Sequence, residues 1–187
     1  PYEVLQRLPG ATVTFVGERR GEVRSDNRFL GLSVDATLDE LPDPDVIVVP
    51  GGVGTRALDA DHPITRWVAA AHPTTRYTTS VCTGSLVLGA AGLLEGLTAT
   101  THWSATDLLR KHGAEPTAKR VVEHLDRRII TAAGVSSGID MAIRLAELLA
   151  RVRSHLGLAK FRKQLEQRVA DQSQALTAAN AELRAEV

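Results

Sequence analysis

Four consecutive apolar residues, Val46-Ile47-Val48-Val49, constrain the fold of this chain more than any other feature. A run of this length, without polar interruption, is typical of a strand buried on both faces, as strands are in a parallel sheet. Around it, segments with a strand pattern alternate with segments with a helical pattern. This alternation predicts an α/β domain with a mostly parallel sheet. Ligands bind outside the carboxyl ends of such strands, so the following loop, Pro50–Gly54, is a candidate site.

A second β-prone segment, Tyr77–Val81, leads directly into Cys82, the single cysteine of the 187 residues. The next residues, Ser85–Leu94, are small or aliphatic and predict a short helix, with Gly92 near its C-terminal end. Cys82 is therefore predicted where a strand turns into a helix. Unpaired N–H groups and the helix dipole favour the thiolate there, which is the reactive form of cysteine. Serine nucleophiles are presented by the same kind of elbow, although a lone cysteine is also commonly a buried, inert hydrophobe.

The remaining pattern predicts several further elements on either side of these two strands. Residues 18–27 are expected to form a loop or a hairpin. Helices are predicted over 1–8, 55–58, 64–71, 104–112 and 136–150, and further strands over 11–16, 30–34, 99–101, 120–124 and 128–132.

The last part of the chain, 156–187, has a different character, because apolar or small residues recur there in steps of three and four. The stripe consists of Phe161, Leu165, Val169, Gln172, Leu176, Ala179 and Leu183. Such a helix either packs on its own domain or forms a coiled coil with a second chain. The heptads continue past any obvious core, which favours the coiled coil. We therefore predict an α/β domain over 1–150 and a helical tail over 151–187.

Charge and composition exclude several classes of partner. Lys+Arg and Asp+Glu are equal at 22 each, so there is no global positive field to attract nucleic acid or an anionic membrane. No apolar run approaches the roughly 20 residues that span a bilayer. A single cysteine forms no internal disulfide, which indicates a reducing compartment, and we expect the cytoplasm. The six histidines lack metal-ligand spacing, so no metal is predicted.

Two loops contain the candidate partners of Cys82. The N–H groups of Thr83 and of the Gly51-Gly52 pair are candidates for an oxyanion-binding site, although a Pro-Gly-Gly sequence is also an ordinary tight turn. His102, in the sequence Thr-Thr-His-Trp, follows a predicted strand and is a candidate base for the cysteine. The alternative for His102 is a purely structural hydrogen bond.

Taken together, the motifs around Gly51, Cys82 and His102, with the segment Gly134–Asp140, resemble the ThiJ/PfpI superfamily of class I glutamine amidotransferase-like proteins. The similarity extends over about residues 1–150 and is greatest to the isonitrile hydratase subgroup. The resemblance implies a flavodoxin-like, three-layer α/β sandwich that is usually dimeric. It also implies a cysteine nucleophile at the strand–helix elbow.

For the chemistry, the resemblance implies attack of a thiolate on the terminal carbon of an isonitrile. A thioimidate forms, and water then releases an N-substituted formamide without a cofactor. Cys82 would be the nucleophile and Thr83 would orient it, while Gly51, Gly52 and His102 would line the substrate site. Peptidase-like members of the superfamily carry histidine directly after the cysteine, and Thr83 stands at that position here.

The chain departs from the superfamily pattern in two places. The superfamily has a first, central strand and an acidic residue upstream of the position of Pro1, and the nearest carboxylate here is Glu3, predicted to face away on the first helix. The heptad helix also resembles the coiled-coil linkers of signalling proteins. Two alternatives to an isonitrile hydratase therefore stay open. One is a ligand- or redox-sensing input domain of a regulator, as occurs in AraC-type proteins, and the other is a cysteine-dependent hydrolase or deglycase.

Overall fold

Ten strands and five α-helices are present in the part of the chain that the computed structural model describes, residues 1–25 and 27–185. The strands are β1 (Val16–Gly17), β2 (Gly21–Arg24), β3 (Gly31–Val34), β4 (Ala36–Thr37), β5 (Val46–Val49), β6 (Tyr77–Val81), β7 (Thr98–Ala99), β8 (Glu115–Pro116), β9 (Val121–His124) and β10 (Ile129–Ala132). The helices are α1 (Tyr2–Leu5), α2 (Pro63–Ala71), α3 (Gly84–Ala90), α4 (Thr106–Lys111) and α5 (Ser137–Ala185). Two 3₁₀ turns, Val53–Ala57 and Trp103–Ala105, follow β5 and β7.

The main sheet has the strand order β5-β6-β10-β9. Strands β5, β6 and β10 run parallel, and β9 pairs with β10 in the antiparallel direction. This arrangement confirms the predicted α/β fold with a mostly parallel sheet, and also the two strands predicted over 120–124 and 128–132, which pair as a hairpin. Since the carboxyl ends of β5 and β6 lie side by side, the loops after them are neighbours.

Each face of the sheet is covered by different elements. Ile47 and Val49 of β5 lie on one face, where they belong to the same buried cluster as Val68 of α2 and Leu86 of α3. Val81 of β6 lies on the opposite face, where it packs against the α5 backbone at Gly138. The sheet is therefore the middle layer, and its carboxyl-terminal edge stays open to solvent near Cys82.

One predicted strand, 11–16, is largely wrong. Only Val16 and Gly17 form a ladder, by pairing with Ala36 and Thr37 of β4. Residues 11–15 have no strand assignment, although their sequence alternates as a strand's would. A strand requires a hydrogen-bonding neighbour in addition to an apolar pattern, and sequence alternation does not reveal whether that neighbour exists.

The chain divides into two compact units, Pro1–Arg144 and Leu145–Val187. Helix α5 is continuous to Ala185, so Gly157 does not end it. Of the predicted heptad stripe, Leu165 is half exposed, and the other side chains lie outside the described residues, so coiled-coil pairing stays a prediction. None of the described helices has the length and apolarity required to cross a bilayer.

Candidate active site at Cys82

Cys82 occupies the sharp turn between β6 and α3, and its backbone is left-handed, with φ 58°. This conformation is uncommon for a residue other than glycine, and such strain concentrates at functional sites. The Cys82 N–H donates to the Ala132 carbonyl oxygen of β10 at 2.8 Å, which fixes the turn to the sheet. The side chain is half-buried and carries a free thiol. The predicted strand–cysteine–helix elbow is therefore present, with the sulfur at the carboxyl-terminal edge of the sheet.

Gly51 packs directly against the cysteine. A β-carbon added to Gly51 would lie 2.6 Å from the Cys82 Cβ, 3.0 Å from its Sγ and 2.9 Å from the Thr83 backbone nitrogen. These distances are below van der Waals contact, so only glycine lets the β5 loop approach so closely. The two loops that the sequence places at neighbouring strand ends are thus in contact.

Thr83 joins the elbow to the glycine loop through its hydroxyl group, which is buried. The Thr83 Oγ1 accepts a hydrogen bond from the Gly52 N–H and donates one to the Gly52 carbonyl oxygen, both at 3.0 Å. The Gly52 N–H, which was predicted to bind the substrate, instead donates to Thr83 in this structure. The Thr83 N–H, by contrast, has no acceptor among the described residues. Thr83 therefore holds the loop through its side chain, while its amide is left without a protein acceptor in the described part of the chain.

The Cys82 carbonyl oxygen is held from two sides. Thr101 Oγ1 donates to it at 3.1 Å, and Ser85 Oγ donates to it at 3.2 Å. Thr101 had no predicted role, even though it lies in the same motif as His102. Its position at the end of the strand predicted over 99–101, and directly before that histidine, was the available signal. Thr101 thereby places the loop with His102 beside the elbow.

His102 makes its hydrogen bonds, within the described part of the chain, to Ser104 and not to Cys82. Its Nδ1 lies 2.8 Å from the Ser104 hydroxyl and accepts from the Ser104 N–H at 3.3 Å. Because Nδ1 accepts there, the proton of the neutral ring is on Nε2, which makes no hydrogen bond to the described residues. Arg56 Nη2 donates to the same Ser104 hydroxyl at 3.3 Å, which links the 3₁₀ turn after β5 to this loop.

Three exposed apolar side chains lie on the loops that follow β5, β7 and β10. Trp103 is 81% exposed, and its ring centroid lies 5.2 Å from that of His102. Val53 follows the glycine loop and Val135 follows β10, and both are also exposed. Across the described residues, no cluster of three or more His, Cys, Asp or Glu side chains is arranged to hold a metal ion. The arrangement suits a nucleophilic sulfur that reacts with a small, largely apolar molecule.

Comparison with known proteins agrees with this geometry. Residues 1–148 match the DJ-1/PfpI family. The chain belongs to that family. This confirms the resemblance that the sequence motifs indicated.

Two relatives of this chain are an enzyme and a transcriptional regulator, and both are longer than the region that matches. The isonitrile hydratase of Pseudomonas putida is 45% identical over 152 residues, which cover 81% of this chain and 65% of that protein. The HTH-type transcriptional regulator GbdR of Pseudomonas aeruginosa is 32% identical over 117 residues, covering 62% of this chain and 31% of the regulator. The chain thus spans about two thirds of the length of the first relative and about one third of the second.

A solved structure in the family is also similar. The ThiJ/PfpI family protein from Pseudomonas syringae is 41% identical, with a TM-score of 0.67, over 73% of this chain and 56% of that one. The fold described above is therefore that of the DJ-1/PfpI family, and the elbow cysteine lies within the matched region.

Proposed function

We propose that this domain hydrates an isonitrile to an N-substituted formamide, with Cys82 as the nucleophile. The observation that carries the proposal is the left-handed Cys82 at the β6–α3 turn, held against Gly51. The 45% identity to an isonitrile hydratase supports the same reaction. The exposed apolar side chains on the loops after β5, β7 and β10 fit a substrate whose substituent on nitrogen is alkyl or aryl.

In the proposed reaction, the Cys82 thiolate forms a bond to the terminal carbon of the isonitrile. A proton is taken up at that carbon, which gives a thioimidate, R–N=CH–S–Cys. Water then adds to the same carbon, and the carbon–sulfur bond breaks as the thiolate leaves. The product, R–NH–CHO, contains the atoms of one isonitrile and one water, so no oxidant, reductant or cofactor is consumed.

The neighbours of Cys82 have separate roles in this proposal. The Thr83 N–H, which has no acceptor among the described residues, stabilises charge that develops as the thiolate attacks, as amides do in oxyanion holes. The Thr83 hydroxyl is a positioning group, because both of its hydrogen bonds go to Gly52. His102 binds the substrate through its Nε2–H while Ser104 holds its other ring nitrogen.

The proposal is tested by incubating the protein with a panel of alkyl and aryl isonitriles and following formamide by mass spectrometry. We expect turnover of at least one member and a transient Cys82 adduct whose mass increase equals that of the substrate. A folded protein that consumes none of them, but turns over an activated ester or a glycated amine, would instead support the hydrolase or deglycase alternative.

Gly51→Ala is predicted to lower the turnover of an isonitrile by about 10- to 50-fold, because displacing a nucleophile by a fraction of an ångström is costly. The new methyl group would overlap Cys82 Cβ and the Thr83 nitrogen, and neither can yield without moving the elbow. The matched control is Gly54→Ala, since an added β-carbon there meets nothing within 4 Å. Equal rates for both variants would contradict the role of Gly51.

Trp103→Ala is predicted to raise KM for an aryl isonitrile about tenfold with little change in kcat, since loss of an aromatic contact removes apolar binding area. Methyl isonitrile, which is too small to reach the indole, should show no such change. Phe29→Ala, which removes an equally exposed aromatic ring on the β2–β3 hairpin, is the control variant. A fall in kcat alone would show that Trp103 does not bind the substituent.

A second candidate function is a ligand- or redox-sensing domain of a regulator. The 32% identity to GbdR over 117 residues favours it, and so does the long helix α5, which has the length of a signalling linker. A sensor would bind an isonitrile or be oxidised at Cys82 once per chain, without releasing product. Multiple turnovers per protein molecule would exclude this role for the domain.

A further inference from the structure

The Arg56 side chain, on the 3₁₀ turn after β5, connects this turn to the loop that contains His102. Its Nη2 donates to the Ser104 hydroxyl at 3.3 Å, and that hydroxyl lies 2.8 Å from His102 Nδ1. In the described part of the chain, no other hydrogen bond joins residues 50–57 to residues 100–105. The contact between Arg56 and Ser104 is therefore what ties the two loops to each other.

The donors and acceptors along this contact follow one direction. A guanidinium group has only N–H donors and stays charged, so the Ser104 oxygen accepts from Arg56. His102 Nδ1 accepts from the Ser104 backbone N–H, so it carries no proton, and the Ser104 hydroxyl donates to it as well. A hydroxyl group that accepts from a cation is a stronger donor, because successive hydrogen bonds polarise one another. Arg56 thus favours donation from Ser104 to His102.

The turn that carries Arg56 is itself fixed to the elbow. The Thr55 hydroxyl donates to the Gly52 carbonyl oxygen at 2.7 Å, and the Thr55 N–H donates to the same oxygen at 3.3 Å. Gly52 is in turn bonded through both its N–H and its carbonyl oxygen to Thr83, the residue after the nucleophile. The backbone at Arg56 therefore has a defined position relative to Cys82.

His102, by contrast, is fixed to the elbow only through the backbone of its own loop. Its neighbour Thr101 donates to the Cys82 carbonyl oxygen at 3.1 Å, which places the loop but not the imidazole ring. The ring is oriented by Ser104, whose hydroxyl is held by Arg56. A half-turn of the ring would put a carbon atom in the place of Nδ1, and both hydrogen bonds from Ser104 would be lost. The orientation of the ring depends on Arg56 through Ser104.

We propose that Arg56 is a positioning residue for the hydration of isonitriles, which rests on the proposed function. Through Ser104 it holds the His102 ring so that Nδ1 accepts and Nε2 carries the proton. The nitrogen of the thioimidate R–N=CH–S–Cys has a lone pair that the Nε2–H group can bond. A donor at that nitrogen stabilises the negative charge that moves onto it as water attacks the carbon. Arg56 itself does not touch the substrate.

Substitutions of Arg56 test this role. Arg56→Met removes every donor but keeps an unbranched side chain, and we expect kcat/KM for an isonitrile to fall about tenfold, because an oriented donor is lost. Arg56→Lys keeps a charged donor and should recover about half of the activity. Arg66→Met is the matched control, because Arg66 is exposed on α2 and its side chain makes no hydrogen bond or ion pair with the described residues. We expect that control to be as active as the original protein.

A double-mutant cycle separates action through Ser104 from a direct effect of the Arg56 charge. Ser104→Ala should lower kcat/KM by a similar factor, about tenfold. The double variant Arg56→Met/Ser104→Ala should lose no more than either single variant, because Arg56 acts only through the Ser104 hydroxyl. Independent effects would instead multiply to about 100-fold. A multiplied loss overturns the proposal, and so does full activity of Arg56→Met.

The protonation of the His102 ring gives a readout that needs no turnover. Long-range proton–nitrogen NMR spectra of isotope-labelled protein distinguish the two ring nitrogens at about pH 8, where histidine is ordinarily neutral. His102→Gln identifies the signals. We expect an unprotonated Nδ1 and a protonated Nε2 in the original protein and in Arg66→Met. In Arg56→Met the Ser104 hydroxyl is free to turn and accept, so the Nδ1 signal should move toward that of a protonated nitrogen.

The two kinds of measurement distinguish failure of this inference from failure of the proposed function. A His102 tautomer that is unchanged in Arg56→Met overturns the positioning role, whatever the rate of hydration. A protein that hydrates no isonitrile, but whose Nδ1 signal moves in Arg56→Met and not in Arg66→Met, contradicts the proposed function and supports the positioning of His102 by Arg56.

Discussion

Cys82→Ser is expected to lower the rate of isonitrile hydration by at least about 1,000-fold, while leaving the fold unchanged. A serine hydroxyl is a weak nucleophile unless an adjacent base takes its proton, and loss of a catalytic nucleophile commonly costs at least this much. Within the described residues, the hydrogen bonds of His102 go to Ser104, so no base stands ready to activate a serine at position 82. The thiolate needs no such base once it has formed.

Single-turnover kinetics with the most reactive isonitrile of the panel measures this effect. The circular dichroism spectrum and the midpoint of thermal unfolding should match those of the original protein, because serine differs from cysteine by one atom. Cys82→Ala should be equally inactive and equally folded. Retention of more than a tenth of the rate in either variant would show that the reaction does not pass through a bond to sulfur.

The elements around the site were predictable because each has a strong local signal. The apolar run Val46–Val49 and the β-prone segment Tyr77–Val81 are strands with the predicted bounds. Gly92, with φ 74°, lies just after α3 as the sequence indicated, although the helix itself ends at Ala90. A glycine adopts this conformation at little cost in free energy. The C-terminal end of a helix can therefore be predicted from the position of such a glycine in the sequence.

The parts that sequence did not predict depend on distant contacts. The direction of the Gly52 N–H is set by the hydroxyl of Thr83, 31 residues away, and no local pattern encodes that pairing. The helix predicted over 136–150 and the helical tail predicted from residue 151 form one continuous helix, α5, which passes through Gly157. One glycine costs a helix only about 1 kcal/mol, so it weakens but does not end a long helix. Long-range geometry of this kind has to be observed in the folded protein.

Gly84→Ala is expected to destabilise the protein by about 3 kcal/mol, although alanine is the better helix former. Gly84 is the first residue of α3, and the intrinsic preference for alanine over glycine in a helix is worth at most about 1 kcal/mol. Against that, an added β-carbon would overlap the Val49 carbonyl group and lie 2.9 Å from the Pro50 carbonyl oxygen. Overpacking typically costs about 1–3 kcal/mol and sometimes more.

The sign of the net effect follows from which atoms would have to move. The obstructing atoms belong to the backbone at the end of β5, a strand that the ladder with β6 holds in place. A flexible side chain could turn away, but this backbone cannot shift without straining the hydrogen bonds from Val46 to Val49. The steric cost of the added methyl group therefore exceeds the gain in helix propensity. The lack of a side chain at Gly84 is what allows α3 to pack this close to the sheet.

Urea unfolding followed by circular dichroism measures the change in the free energy of unfolding of Gly84→Ala. A loss of about 3 kcal/mol should also lower the unfolding midpoint temperature by roughly 6–12 °C for a domain of this size. Gly54→Ala is the matched control, since its added β-carbon meets nothing within 4 Å, and we expect its stability to change by less than about 1 kcal/mol. If Gly84→Ala were as stable as the original protein, the close approach of α3 to β5 would not be required for stability. The turn at Cys82 would then tolerate a larger separation between β5 and α3 than the structure shows.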